Sequence, residues 1–89
     1  MNIKFIKDLI TKSLKKFDIS IFKIILFGSR ARKDFTEKSD WDFLIIFNNY
    51  ITRDEKKVIS HQIRKDLAEY HIICDVLIRT KEEVTQLSK

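Results

Sequence analysis

The sequence predicts a mixed α/β (α+β) domain: a three-stranded mixed sheet in the order 1-2-3 with helices packed on it, in the chain order α-β-α-β-α-β-α. Three observations carry this expectation. Three short apolar runs, at 21–27 (IFKIILF), 43–47 (FLIIF) and 72–78 (IICDVLI), have the length and the β-branched and aromatic content of buried strands. The stretches before the first run and between the last two repeat their apolar residues at helical spacing. Two threonines, Thr52 and Thr80, each have a glutamate three residues on, Glu55 and Glu83, which is the pattern of a reciprocal cap at a helix start.

The elements follow in order. Residues 3–17 form an amphipathic helix, with Ile3, Ile6, Leu9, Ile10, Leu14 and Phe17 on one side and Lys4, Lys7, Lys12 and Lys15 on the other. The first strand covers 20–27. Residues 29–34 read as a short helix or turn and 35–39 as a polar loop. The second strand covers 40–47 and alternates: Asp40, Asp42, Leu44 and Ile46 share one face, while Trp41, Phe43, Ile45 and Phe47 share the core face. Leu44 and Ile46 need a cover, from the C-terminal helix, a second copy or another protein. Thr52 opens a helix to about Tyr70, with Ile59, Ile63, Leu67 and Tyr70 on its apolar stripe. A strand–helix–strand crossover makes the third strand, 72–79, parallel to the second. The short connection at 28–39 makes the first antiparallel to it. Thr80 caps the last helix.

Composition narrows the class. Eighty-nine residues allow one small domain, 1–89, and 44% apolar content argues against disorder. There is no proline, one glycine and no repeat, so nothing marks a linker. No apolar run approaches the roughly 20 residues that cross a bilayer, and lysines interrupt the N-terminal pattern, so neither a membrane span nor a signal peptide is expected. The lone Cys74 has no internal disulfide partner and fits a reducing cytoplasm as a buried thiol. The net charge of +5 favours anionic partners, although a solvated basic face explains the charge equally well.

The chemistry concentrates in 28–42, GSRARKDFTEKSDWD. Residues two apart in a strand project to the same face about 6.6 Å apart, so Asp40 and Asp42 stand together where the second strand begins. Two such carboxylates repel unless a cation lies between them, and hard divalent ions take oxygen ligands together with substrate phosphates. A third carboxylate completes a two-metal site, and parallel pairing brings Asp75 beside the other two. A lone carboxylate within an apolar strand costs several kcal/mol unless paired or metal-bound, which favours this role for Asp75. Gly28 permits a tight turn and close approach to a ligand. Amides of the turn begun by Ser29 can hold a phosphate. Arg30 and Arg32 suit phosphate or carboxylate equally. Lys33 and Lys38 read as solvated loop charges. His61, His71 and Cys74 lack zinc spacing. Tyr50 and Tyr70 could accept a nucleotide in self-modification, but packing is the plainer reading.

The pattern G-S-x10-D-x-D with a later strand aspartate resembles the nucleotidyltransferase fold of the DNA polymerase β superfamily. The strings GSRAR and SDWDFLII are similar to those of the minimal nucleotidyltransferases, small partners of HEPN-domain proteins in prokaryotic toxin–antitoxin pairs. Lys33 departs from the pattern, where many members carry glycine. The resemblance implies a Mg²⁺-dependent transfer of AMP from ATP to a tyrosine of a HEPN-type RNase toxin. Asp40 and Asp42 would hold two Mg²⁺ ions, and Asp75 would hold the catalytic one and help activate the attacking hydroxyl. Gly28 and Ser29, with Arg30 and Arg32, would bind the nucleotide. A chain this short has no room for a separate substrate-recognition domain, so the acceptor, or the wall that completes the site, is expected from another chain. Two other classes compete: a binding module that neutralises its partner by covering it, and a nucleic-acid-binding autorepressor. Nucleic acid binding is not expected, because no helix-turn-helix or aromatic stacking platform is visible.

Overall fold

The computed structural model describes residues 3–32 and 40–87. The expected loop at 35–39, with Lys33 and Lys38, lies outside them. The elements are α1 (Ile3–Ser13), β1 (Ile21–Phe27), α2 (Ser29–Arg32), β2 (Trp41–Phe47), α3 (Arg53–Ala68), β3 (Cys74–Thr80) and α4 (Lys81–Leu87). The three strands form one sheet in the order β1-β2-β3, antiparallel between β1 and β2 and parallel between β2 and β3. The predicted topology is therefore the observed one.

Alternation along the strands sorts the side chains. Phe43, Ile45 and Phe47 of β2 and Val76 and Ile78 of β3 are buried on one face. There they meet Ile6, Ile10 and Leu14 from the α1 segment and Ile59, Ile63 and Leu67 from α3. Each fully buried side chain of this size contributes about 1.5–3 kcal/mol through the hydrophobic effect. This core fixes the register of the sheet, because a slip of one residue would turn every strand over.

Both predicted capping boxes form. The Glu55 amide donates to Thr52 Oγ1 at 3.1 Å, and the Thr52 amide to Glu55 Oε1 at 3.0 Å. The Glu83 amide donates to Thr80 Oγ1 at 3.2 Å, and the Thr80 amide to Glu83 Oε1 at 2.8 Å. Lys56 Nζ reaches the same Glu83 carboxylate at 2.9 Å and ties α4 to α3. The last helix, α4, touches β2 and β3, and Ile46 is buried while Leu44 is half-buried. At that end Lys81 Nζ stands 4.7 Å from the Phe22 ring centre.

Structure and expectation part at the end of the first helix, at the start of the third strand and at Tyr50. The first helix stops at Ser13 rather than 17. Thr11 Oγ1 donates to the Lys7 carbonyl, competing with the helical ladder, and the chain then tightens: the Lys15 amide bonds Lys12 O and the Phe17 amide bonds Leu14 O. Leu14 stays in the core through this turn. At the other end of the chain, β3 begins at Cys74 rather than Ile72. Ile72 is spent on ending α3: its amide donates to Leu67 O and that of His71 to Ala68 O, the paired bonds of a Schellman closure. The closure needs a left-handed residue, and His71 takes that conformation at φ 62° without being glycine. Finally, Tyr50 does not pack but is exposed, whereas Tyr70 meets Phe5 edge-on at 5.8 Å.

Candidate active site

The open face of the sheet carries the carboxylates. Phe27 pairs with Asp42 across the antiparallel ladder, and Asp42 pairs with Asp75 across the parallel one. Directly opposed residues project to the same face, and neighbouring strands lie about 4.8 Å apart. Asp42 therefore stands between the end of β1 and Asp75. Asp40 immediately precedes β2 and is exposed; the next residue, Trp41, joins the sheet by donating its amide to the Ile73 carbonyl at 3.0 Å.

The Gly-Ser turn closes on this group. Gly28 has φ +77°, a left-handed conformation that side chains disfavour. A Cβ at this position would collide with the Asp42 carboxylate oxygen. The turn therefore lies against Asp42. The Gly28 carbonyl accepts from the Ala31 amide at 3.1 Å and the Arg32 amide at 3.2 Å, winding the single turn of α2.

Asp75 requires a correction. The sequence suggested a carboxylate embedded in an apolar strand, but burial alternates along β3 and Asp75 falls on its exposed face, with 66% of its side chain accessible. It needs no metal to be tolerated there. Its carboxylate instead lies 3.5 Å from Arg64 Nη2, a group of α3 that reaches around the sheet edge. With both partners more than half exposed, this pair contributes little to stability. Cys74, next in the strand, faces the core. Burial pushes its thiol up to about 11; Arg64 opposes the shift, while Asp75, Asp40 and Asp42 add to it. The expectation of a buried thiol holds.

Arg30 and Arg32 separate in their surroundings. The Arg30 guanidinium lies 4.2 Å from the Trp41 ring centre, and Trp41 stacks parallel to Phe43 at 6.1 Å. A cation over an indole face is attracted by the ring quadrupole. Arg30 thereby pins α2 to the start of β2, while Arg32 is exposed at the end of α2. Sequence reasoning missed both the Arg30–Trp41 contact and the Arg64–Asp75 pair. Only the recurrence of basic residues on α3, at Lys57, His61 and Arg64, hinted at the second.

The donor set suits a hard divalent cation: carboxylate oxygens at one strand end, reachable by water, with a glycine that leaves the carboxylate its space. No three acidic, histidine or cysteine side chains among the described residues converge as a metal-binding group. Asp40, Asp42 and Asp75 would hold the ion once Asp75 leaves Arg64, a weak contact to break.

The sheet thus joins a Gly-Ser turn to a D-x-D strand start and to an aspartate on the third strand. The family model described as "Nucleotidyltransferase domain" matches residues 6–89. The chain belongs to this family and is a nucleotidyltransferase. Among its relatives is "Putative protein adenylyltransferase MJ0604" of Methanocaldococcus jannaschii, 51% identical over 79 residues, which are 89% of this chain and 74% of the relative. "Putative protein adenylyltransferase MJ0141" of the same organism is 39% identical over 75 residues, which are 84% of this chain and 68% of that protein. No helix among the described residues is long and apolar enough to cross a membrane.

Proposed function

We propose that the protein is a Mg²⁺-dependent adenylyltransferase that moves AMP from ATP to a hydroxyl of a partner protein. The observation that carries this reading is the seating of the Asp42 carboxylate against Gly28, with Asp75 in register on the neighbouring strand. Two relatives bearing the name protein adenylyltransferase support the same substrate class. The resemblance of GSRAR and SDWDFLII to the minimal nucleotidyltransferases makes the partner a HEPN-type RNase, silenced by the transfer, and the protein its antitoxin.

In this reading the Gly28-Ser29 backbone receives the β- and γ-phosphates, and Arg32 adds positive charge to them. Arg30 acts through Trp41, holding the turn in place. Asp40 and Asp42 would hold both ions, and Asp75 would complete the site of the catalytic one. Bound Mg²⁺ supplies charge stabilisation for the attacking and leaving oxygens. Asp75 orients the acceptor hydroxyl and takes its proton. The acceptor oxygen bonds to the α-phosphorus as the bond to the β-phosphate bridging oxygen breaks, and pyrophosphate leaves.

The test uses ATP labelled on the α-phosphate, Mg²⁺ and a co-expressed partner, with wild type beside the Asp40→Asn/Asp42→Asn variant. Label reaching the partner only with wild type is the expected result. A partner that is still bound and neutralised, with no label under any nucleotide, would replace this reading with that of a non-catalytic binding module.

A further inference from the structure

The third strand has an open side. Among the described residues β3 pairs with β2 alone, and beyond that free edge a groove of about 470 Å³ runs between β3 and α3. Arg53, Lys57, His61, Arg64 and Arg79 line it together with the apolar Leu77, and no carboxylate is among its described lining residues. Lys56 also reaches the groove but is engaged by Glu83. The groove ends at the active site, because its Arg64 is the partner of Asp75.

The ladder tells which backbone groups face outward. In a parallel pair, alternate residues bond to the neighbour strand. The Trp41 amide bonds the Ile73 carbonyl, so Ile73, Asp75 and Leu77 turn toward β2, while Cys74, Val76 and Ile78 present their amides and carbonyls to the groove. The Ile78 carbonyl confirms this direction: it accepts from Arg79 Nη1 at 2.9 Å, a side chain folded back over the edge. Unpaired strand edges are templates for a further strand, and proteins that leave them open place cations beside them.

We infer that this groove docks the acceptor as an extended acidic polypeptide segment, which adds to β3 as a fourth strand and sets its hydroxyl residue beside Asp75. This inference rests on the proposed adenylyl transfer for its purpose, but not for its test. A polypeptide fits better than a nucleic acid because the edge offers alternating amides and carbonyls, which pair with another backbone. Among the described lining residues there is no phenylalanine, tyrosine or tryptophan for bases to stack on, and His61 is the one ring present. Acidity follows from the lining, and an acidic side chain that reached Arg64 would also draw it from Asp75.

The experiment measures binding rather than transfer. A fluorescein-labelled peptide of alternating glutamate and valine with one central tyrosine is titrated with the full chain. The same peptide with lysine for glutamate, and an oligouridylate of equal negative charge, are titrated beside it. We expect the acidic peptide to bind at least 10-fold tighter than either, and to slow hydrogen exchange at the Val76 and Ile78 amides. Lys57→Glu and His61→Glu, both exposed and outside the catalytic group, should each weaken it at least 5-fold while leaving ATP binding by equilibrium dialysis unchanged. Equal binding of the lysine peptide, tighter binding of the oligouridylate, or unchanged exchange at the edge amides would overturn the proposal. A peptide that docks in this way but accepts no label from ATP leaves the groove assigned and removes the transferase reading for that acceptor. A partner protein labelled by wild type with no edge protection does the reverse.

Discussion

The two faces of the sheet are made from the same strands and obey opposite rules. On the helix-covered face, Phe43, Ile45 and Phe47 are fully buried and their identities are set by volume. On the other face, Asp42, Leu44, Asp75 and Leu77 stay partly or largely exposed, and charge and access matter there. The alternation places the faces one residue apart, so neighbours in β2 can be altered to opposite effect. The covered face supplies stability and holds the open face in register. The open face adds little to folding and carries the proposed site.

The largest contrast is between Asp42 and Phe43. Asp42→Asn should cut adenylyl transfer on the order of 10³-fold, about 4 kcal/mol of barrier, with a urea midpoint close to wild type. Phe43→Ala should cost about 3–5 kcal/mol of stability by opening a cavity. If denaturant melts show Asp42→Asn unfolding as readily as Phe43→Ala, the division between the faces fails. Gly28→Ala sits at the junction. A Cβ displaces the Asp42 carboxylate and meets a left-handed backbone, so transfer should fall by about 10²-fold, with a smaller loss of stability of about 1–2 kcal/mol. Measuring kcat and the melting curve on the same preparation separates the two.

Smaller effects belong to the covered side. Thr52→Ala removes one half of a capping box and should destabilise by about 1 kcal/mol without touching transfer. Acid should act on the same devices. The Lys56 bond and the Thr80 amide hold Glu83 below its ordinary 4.5, and Thr52 does so for Glu55. Both carboxylates favour the folded state while ionised, so their contribution is complete above pH 4.5 and is lost as pH falls through their lowered values. A stability profile from pH 6 to 3 should lose less in the Glu83→Gln variant than in wild type. The smallest effect is a gain: His71→Gly relieves the left-handed residue after α3 and should raise stability by about 0.5–1 kcal/mol, read as a higher melting temperature with unchanged activity.

These contrasts also explain what the chain discloses before it is folded. The sheet order, both capping boxes and the facing of Asp42 follow from period and local hydrogen-bonding chemistry, which neighbouring residues carry themselves. The end of α3 was harder to read because a histidine sits where glycine usually announces a stop, and the start of β3 shifted with it. Asp75 was recognised but for a reason that fails: the run IICDVLI reads as uniformly apolar, yet the structure exposes every second residue. The Arg64–Asp75 and Arg30–Trp41 contacts join residues brought together only by the crossover and the turn, so no spacing rule reveals them.

The crossover has a further consequence, for the order in which the molecule assembles. The β1–β2 hairpin closes a short connection, whereas Asp75 reaches Asp42 only after α3 has formed and β3 has docked in parallel, a pairing of higher entropic cost. The hairpin that unites Gly28 with Asp42 is thus the early part of the site, and Asp75 is the late one. In the proposed mechanism Asp75 would join Asp42 only once β3 is in place, so adenylyl transfer would report the docking of that strand. Pulse-labelled hydrogen exchange during refolding should protect the β1–β2 amides before those of β3, and nucleotidyl transfer should recover with the slower phase.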